Sequence, residues 1–432
     1  MFEKEETQLN KIKDHYDDLD IPSTIDDYIL AGIHKGKSIR KRVTSWRLVS
    51  LIASILLIGS FSMIQVSPIF AGYLSNIPGF EKVIEAIRFD KGLLSAVEHD
   101  FLQPINISDE HDGMKVTVDS IIVDEEKLVL FYTLESDRDR EHVMLSQIQF
   151  KDKEKNQELG VSHSIESISV KANEPASGTI DFYQIEGWPT SVEISLKVDK
   201  NSESVYVFPF SIDKEKFEGL KEEYILNKTV TIENQEITFE KVIIHPTRIA
   251  VHLSFNPNND KEIFNFEDLR IVDGKGESWG SANGIVASYP SEHEWIVYLQ
   301  SNYFSNPDEL YLEFSSVRAL DKDEIEVVVD TEQEKILKSP ADGRILDVQL
   351  NDDMLSFTLK VDPFTEGEGY TYNLFKSEFV DATGATFSAS GSFASKQKSG
   401  IHLDSLDFQS PITLTIGNYP SRLKEHIRFQ IK

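Results

Sequence analysis

The chain has 432 residues, 40% hydrophobic and 27% charged, a composition of folded protein that argues against wholesale disorder. It has no cysteine, which excludes a disulfide framework and a thiolate metal centre, so each domain must stand on its own core. The net charge of −29 disfavours direct nucleic-acid binding but is unevenly spread: residues 1–34 sum to −6 and residues 35–47 to +6, so the whole excess belongs to residues 48–432.

Residues 1–47 are too few for a core of their own and are expected to be a cytoplasmic segment with short amphipathic helices. Ser23 and Thr24 can each cap a short helix, with Asp26 and Asp27 close to its positive end. Ile25, Tyr28, Ile29 and Ile33 share one face at helical spacing. Leu9, Ile12, Tyr16 and Leu19 form a weaker stripe upstream. Apolar stripes with no domain to cover them suggest docking on a partner, with Ile25, Asp26, Asp27, Tyr28, Ile29 and Ile33 as the partner-binding residues. The plainer alternative is a disordered tail that only orients an anchor.

No charged residue occurs between Leu48 and Phe80. A helix over Leu48–Phe70 would be roughly 34 Å long, enough to cross a hydrocarbon core of about 30 Å. A buried core helix would seldom lack charge over such a run, and 47 residues is too long a lead for a cleaved signal peptide. A single transmembrane helix over 48–70, in contact with the lipid bilayer, is therefore expected. Lys35, Lys37, Arg40, Lys41, Arg42 and Arg47 precede it, which puts the N-terminus in the cytoplasm and the C-terminus outside the cell membrane.

Beyond the span, residues 71–105 are read as a juxtamembrane segment, with a helix over Pro78–Val97 whose apolar face is Phe80, Val83, Ile84, Ile87 and Leu94. From Met114 the period becomes two, and Asp124-Glu125-Glu126 joins two apolar runs as a hairpin. The hairpin recurs at an offset of 121 residues: Val118–Val123 aligns on Phe239–Ile244, and Leu128, Leu130, Tyr132 and Leu134 align on Ile249, Val251, Leu253 and Phe255. A looser third copy covers Ile345–Leu350 and Leu355–Val361. Such spacing fits whole domains, so the fold is expected to be mainly β. Two or three tandem immunoglobulin-like β-sandwiches are expected, with sandwich domains at 106–215 and 226–332 and a third β domain at 340–432, and with linkers near Asp213–Asn227 and Glu332–Asp342.

No phosphate loop, paired-His helix or nucleophile elbow is present, so no enzyme activity, catalytic residue, cofactor or metal is expected. The acidic stretches Ser108–Gly113 and Asn351–Asp353 could offer hard oxygens to Ca²⁺, but neither has the spacing of a calcium loop.

The Ile25-Asp26-Asp27-Tyr28-Ile29 helix, the basic run, the span and its Pro68-Ile69-Phe70-Ala71 exit lead into Gly113–Asp119 and Leu128–Leu134. Over residues 20–140 this order resembles Gram-positive membrane-anchored anti-sigma-like proteins, negative effectors of extracytoplasmic-function sigma factors that carry a domain of unknown function. The stretch Thr238–Phe255 resembles a second uncharacterised domain such proteins often carry. The resemblance implies a regulatory protein whose partner is a cytoplasmic sigma factor and whose ectodomain senses an external ligand of unknown identity. The Cys/His zinc motif of better-known anti-sigma factors is absent, so sigma binding here would be metal-free. Two rivals are a non-enzymatic cell-envelope adhesion or scaffold protein, in which the N-terminus only anchors, and an external carbohydrate- or peptide-binding module.

Overall fold

The structure, a computed structural model, describes residues 80–183, 187–199, 202–281, 286–360, 372–395 and 397–432. The expected span 48–70 and the stripe of Ile25, Asp26, Asp27, Tyr28, Ile29 and Ile33 lie outside the described residues. Among the described residues no helix is long and apolar enough to cross a membrane.

Where the sequence predicts one helix over 78–97 there are two, α1 (Phe80–Ile87) and α2 (Lys91–Glu98). Asp90 divides them. Its backbone is extended, its N–H donates to Ile87 O at 2.8 Å, and its carboxylate accepts from Leu93 N at 3.0 Å, so it closes one helix and N-caps the next. The break re-phases the buried face: Val83 and Ile87 are buried from α1, and Leu93, Ala96 and Val97 from α2, while Leu94 is only half-buried.

The first sandwich comprises β1 (Gln103–His111), β2 (Met114–Val123), β3 (Lys127–Ser136), β4 (Arg140–Val143), β5 (Leu145–Asp152), β6 (Gln157–Leu159), β7 (Ser162–Ile165), β8 (Ile168–Val170), β9 (Ala176–Tyr183), β10 (Ser191–Val198) and β11 (Tyr206–Ser211). One sheet has the order β1-β2-β3-β9-β7, the other β11-β10-β5-β6, and β4 pairs with β8 apart from both. On β10 every second residue, Val192, Ile194, Leu196 and Val198, is buried. Side chains of that size each contribute roughly 1.5–3 kcal/mol. Phe150 of β5 meets Phe182 of β9 edge-on at 5.4 Å, closing the core between the sheets. The consecutive meander β1-β2-β3 in one sheet differs from the immunoglobulin order, in which the third strand crosses to the facing sheet.

The second sandwich repeats the first. It uses β12 (Glu222–Ile232), β13 (Gln235–Ile244), β14 (Arg248–Phe255), β15 (Lys261–Phe266), β16 (Arg270–Asp273), β17 (Ser278–Trp279), β18 (Val286–Ser291), β19 (Glu294–Gln300) and β20 (Leu310–Asp321). Its first sheet, β12-β13-β14-β19-β18, is built like β1-β2-β3-β9-β7. The correspondence extends to irregularities. Register slips between Val118 and Ser120 of β2, and again between Phe239 and Lys241 of β13. It slips between Pro104 and Ile107 of β1 and between Ile225 and Lys228 of β12. Asn106 and Asn227, both left-handed, sit in the latter bulges, and a hydroxyl pair crosses each hairpin, Ser108–Thr117 at 2.8 Å and Thr229–Thr238 at 2.9 Å. All of these share the 121-residue offset. Phe239, Phe266, Phe314 and Phe429 form the aromatic centre of this core.

The third sheet comprises β21 (Glu326–Asp330), β22 (Lys335–Lys338), β23 (Ile345–Asn351), β24 (Met354–Leu359), β25 (Phe375–Val380), β26 (Thr386–Ala394), β27 (Lys398–Leu403) and β28 (Ile412–Ile416), in the order β22-β21-β28-β25-β26-β27-β24-β23. Thr386–Ser388 of β26 pair with β25 and Ala389–Ala394 with β27, so the sheet turns at β26 around Phe357, Phe375, Phe379 and Leu414.

The last strand, β29 (Arg422–Gln430), does not join it. It pairs with β20 from Tyr311↔Gln430 to Arg318↔Arg422. There it takes the edge that β11 takes on β10, giving β29-β20-β16-β17 against β11-β10-β5-β6. Residues 326–416 are therefore inserted between the last two strands of the second sandwich, where the first has only a short connection. The sequence-expected divisions shift accordingly. Ile325–Val329, placed in 226–332, supplies β21 of the inserted sheet, the expected linker 332–342 holds β22, and residues 422–430, placed in 340–432, complete the second sandwich. The expected linker 213–227 contains a single 3-10 turn, Lys214–Lys216, and the start of β12.

Candidate functional site: a polar joint between the related sandwiches

The two equivalent hairpins meet at their turns. In the first, Asp124 N donates to Lys127 O at 3.0 Å, and in the second, His245 N donates to Arg248 O at 2.9 Å, so both turns close in the same way. The carboxylate of fully buried Asp124 gathers both. Oδ1 accepts from Glu126 N and Lys127 N within its own turn, and Oδ2 accepts from Thr247 N at 2.8 Å and Thr247 Oγ1 at 2.5 Å across the joint. Trp188 Nε1 donates to Asp124 O at 2.7 Å. Arg248 pairs with Glu126 at 3.0 Å and lies over the rings of Tyr298 (3.8 Å) and Tyr183 (5.1 Å). Charge-assisted bonds in so sheltered a place are the strong kind.

Two groups depart from this satisfaction: Arg248 Nε is buried without a hydrogen-bond partner, and so is the ring of His245. His245 is 2% exposed, and neither ring nitrogen has a hydrogen-bond partner. Burial holds its pKa down; Asp124 and Glu126 pull upward against that, while Arg248 pushes the same way as burial. In the first turn, burial opposes the charge of Lys127, but Asp181 at 2.7 Å, Tyr183 and Asp90 raise its pKa overall, so it stays cationic. Burial pushes the Asp90 carboxyl up.

Helix α2 is lodged at the same joint. Gln300 accepts from Lys91 N at 3.3 Å and donates to Phe89 O at 3.0 Å, and Lys91 Nζ donates to Ser278 O at 3.2 Å. A Cβ on Gly92 would stand 2.5 Å from Ser301 N, so only glycine permits this approach. Ser301 Oγ in turn donates to His245 O at 2.5 Å. On the other side α1 reaches the first sandwich through Lys82 Nζ to Thr133 Oγ1, 3.4 Å. The segment that follows the charge-free run is thus fastened to both sandwiches.

A second polar joint holds the insertion. Glu267 accepts from Arg318 Nε at 3.0 Å and from Arg422 Nε at 2.7 Å, while Arg318 also reaches Asn418 Oδ1 and lies 4.7 Å from the Tyr372 ring. Burial raises the Glu267 carboxyl, but the two arginines outweigh it and hold the carboxyl below its ordinary range.

None of the sequence-proposed partner residues falls within the described residues, so they take no part in this geometry. Ser108–His111 are the end of β1 and Asn351 the end of β23, and Asp112-Gly113 and Asp352-Asp353 form the hairpin turns that follow, with Asp112, Gly113 and Asp352 left-handed. Among the described residues no three His, Asp or Glu side chains converge as a metal site. Sequence reasoning missed the joint because Asp124–Glu126 and His245–Arg248 read as ordinary turns. The signal that could have found it was the equivalence of the two turns under the 121-residue offset. The arrangement pairs no activated nucleophile with a base; what it can do is hold two domains and a helix together, with a strength that depends on protonation.

The fold and the joint define a tandem β-sandwich protein with an inserted third β unit. Residues 40–136 match a domain of unknown function, DUF4179, and residues 221–351 match a family of unknown function, DUF5643. The first match ends within β3 and the second within β23, so each covers one copy of the repeated hairpin. No curated protein matches the chain. Among solved structures, a conserved domain protein from Bacillus anthracis is similar at 15% identity and a TM-score of 0.36, over 55% of this chain and 84% of that one. S. aureus TarS is similar at 15% identity and a TM-score of 0.14, over 50% of this chain and 44% of that one. Neither likeness is close enough to carry an argument about fold or function.

Proposed function

We propose that the protein is a single-pass, membrane-anchored regulator. Its N-terminal stripe holds a cytoplasmic sigma factor, and its β ectodomain, immunoglobulin-like in its two-layer construction though not in strand order, senses or contacts the cell envelope. The observation that carries this reading is the order of features in the chain. An apolar stripe without a core of its own (Ile25, Tyr28, Ile29, Ile33) is followed by six cations, then 33 charge-free residues from Leu48 to Phe80, then acidic β domains. The joint supports it from the other side, because the two helices that follow the charge-free run are fastened to the two sandwiches, α1 to the first and α2 to the second. The resemblance to anti-sigma-like proteins over residues 20–140 points the same way.

Treatment of intact cells with external protease tests the topology: fragments beyond Ala71 should be degraded and residues 1–47 spared. Detergent extraction of the full chain should then co-purify an extracytoplasmic-function sigma factor. A C-terminal reporter active only in the cytoplasm would refute the topology. The rival, an anchored adhesion or scaffold protein, draws support from the two polar joints, which suit a stiff spacer, and it requires no cytoplasmic partner.

A further inference from the structure

Beside the second joint lies a cavity of about 520 Å³ lined by Asp342, Arg344, Lys360, Arg422 and Lys424 together with Pro420 and Ser421. Asp342 pairs with Arg344 and Glu267 with Arg422, so Lys360 and Lys424 are the cations in excess here, in a chain whose net charge is −29. The arginines are fixed in place. Arg344 Nε lies 3.2 Å from Asp342 Oδ2, whose other oxygen accepts from Tyr419 Oη at 2.6 Å, and Glu267 holds Arg422. The floor is equally built: Lys360 N donates to Arg344 O at 2.8 Å, joining the strand ends on one wall, and β29 supplies the other. Lys360 and Lys424 are exposed, and neither ammonium has an acidic partner among the described residues. The two ammonium groups and the Ser421 hydroxyl, set beside two guanidinium groups already held by carboxylates, form a donor set for an anion with several oxygens and more than one charge. The volume is that of a small-molecule site and exceeds what one free phosphate fills.

We propose that this cavity binds a phosphoryl-bearing anion, with Lys360 and Lys424 as the contacts that complete the site. Residues 48–432 carry the whole negative excess and repel polyanions, so the part of the binding that depends on Lys360 and Lys424 should be one site per chain, distinct from any contribution of the basic run 35–47, and should weaken steeply as salt rises. The proposal does not depend on the sigma-factor reading, and its test has no transcriptional readout.

The full chain, held in phosphatidylcholine nanodiscs at low ionic strength, is titrated calorimetrically with tripolyphosphate. In parallel, its co-flotation with phosphatidylglycerol vesicles is compared with phosphatidylcholine vesicles. Lys360→Gln combined with Lys424→Gln removes two charge-assisted contacts and should weaken binding by about ten-fold or more, whereas Lys115→Gln, on the first sandwich, should not. Both lysines are exposed, so an unchanged melting temperature should accompany the loss. Saturable tripolyphosphate binding that the double variant loses supports a soluble phosphoryl ligand. Lysine-dependent flotation without tripolyphosphate binding supports a lipid headgroup of the same chemistry. If the wild-type chain takes neither probe, or the double variant takes both as well as the wild type, the proposal is overturned.

Discussion

Three residues at the first joint carry its energetics, each by a different mechanism. His245 is buried without a partner, and its pKa lies below the ordinary imidazole value. Above about pH 6.5 both the closed and the opened joint hold it neutral, and its burial then costs nothing in protons. As pH falls below that value the opened form takes up the proton first, so the closed joint loses up to about 1.4 kcal/mol per pH unit until the folded pKa is passed. Hydrogen exchange at the Thr247 amide, which donates to Asp124, should accordingly accelerate by at most about ten-fold per unit on acidification, beyond the intrinsic pH effect. His245→Phe should remove that excess, and an excess that survives the substitution would assign it to another group. Asp124→Ala leaves four donors of two turns without their acceptor and should destabilise the chain by about 3 kcal/mol in denaturant unfolding. Gly92→Ala places a methyl against Ser301 N and should cost about 1–3 kcal/mol, read as faster exchange confined at first to Lys91–Glu98.

At the scale of elements, the paired hairpins predict that Leu130 and Val251, both buried and equivalent in register, respond alike to truncation. Leu130→Ala should lower stability by about 2–5 kcal/mol and Val251→Ala by somewhat less, measured by thermal melting, and a surface-like effect at either would break the equivalence. These strands were legible because apolar residues alternate or run together along them. Their neighbours β1 and β12 were not: Gln-Pro-Ile-Asn-Ile-Ser-Asp-Glu-His in β1 is an edge strand, mostly polar and bulged, and its pairing is set by β2 rather than by its own pattern. The helix expected over 78–97 was legible as helical but not as two helices, because an N-cap aspartate inside an apolar periodic run is outweighed by the run itself. β29 carries Lys424, Glu425, His426 and Arg428 among few apolar residues, and only a partner more than a hundred residues earlier makes it a strand. The joint shared this fate: its residues are turn formers by sequence and become a site only when two distant turns meet.

For the whole molecule, the insertion changes what each piece needs. Arg318 and Arg422 are direct partners across β20 and β29, and Ala319 N donates to Ser421 O, so the ends of the inserted unit lie side by side. Replacing residues 322–420 by a short Gly-rich turn should leave the second sandwich folded, whereas ending the chain at Ser421 should unfold it, because the core loses Leu423, Ile427 and Phe429. Near-ultraviolet circular dichroism of Trp279 and Trp295, both buried in that sandwich, distinguishes the two results. The regulatory reading, by contrast, stands on a stripe of four side chains in the N-terminal segment. Ile29→Asp puts a charge at the centre of that stripe without touching the basic run or the charge-free run, so the protein should still insert. The most direct test is transcription of the sigma-dependent regulon in cells carrying Ile29→Asp, with capture of the sigma factor by the full chain measured alongside. The account predicts that capture is lost and transcription rises while membrane insertion and Lys41→Ala controls are unchanged; if capture and transcription both ignore Ile29→Asp, the anchored scaffold is the better description of this protein.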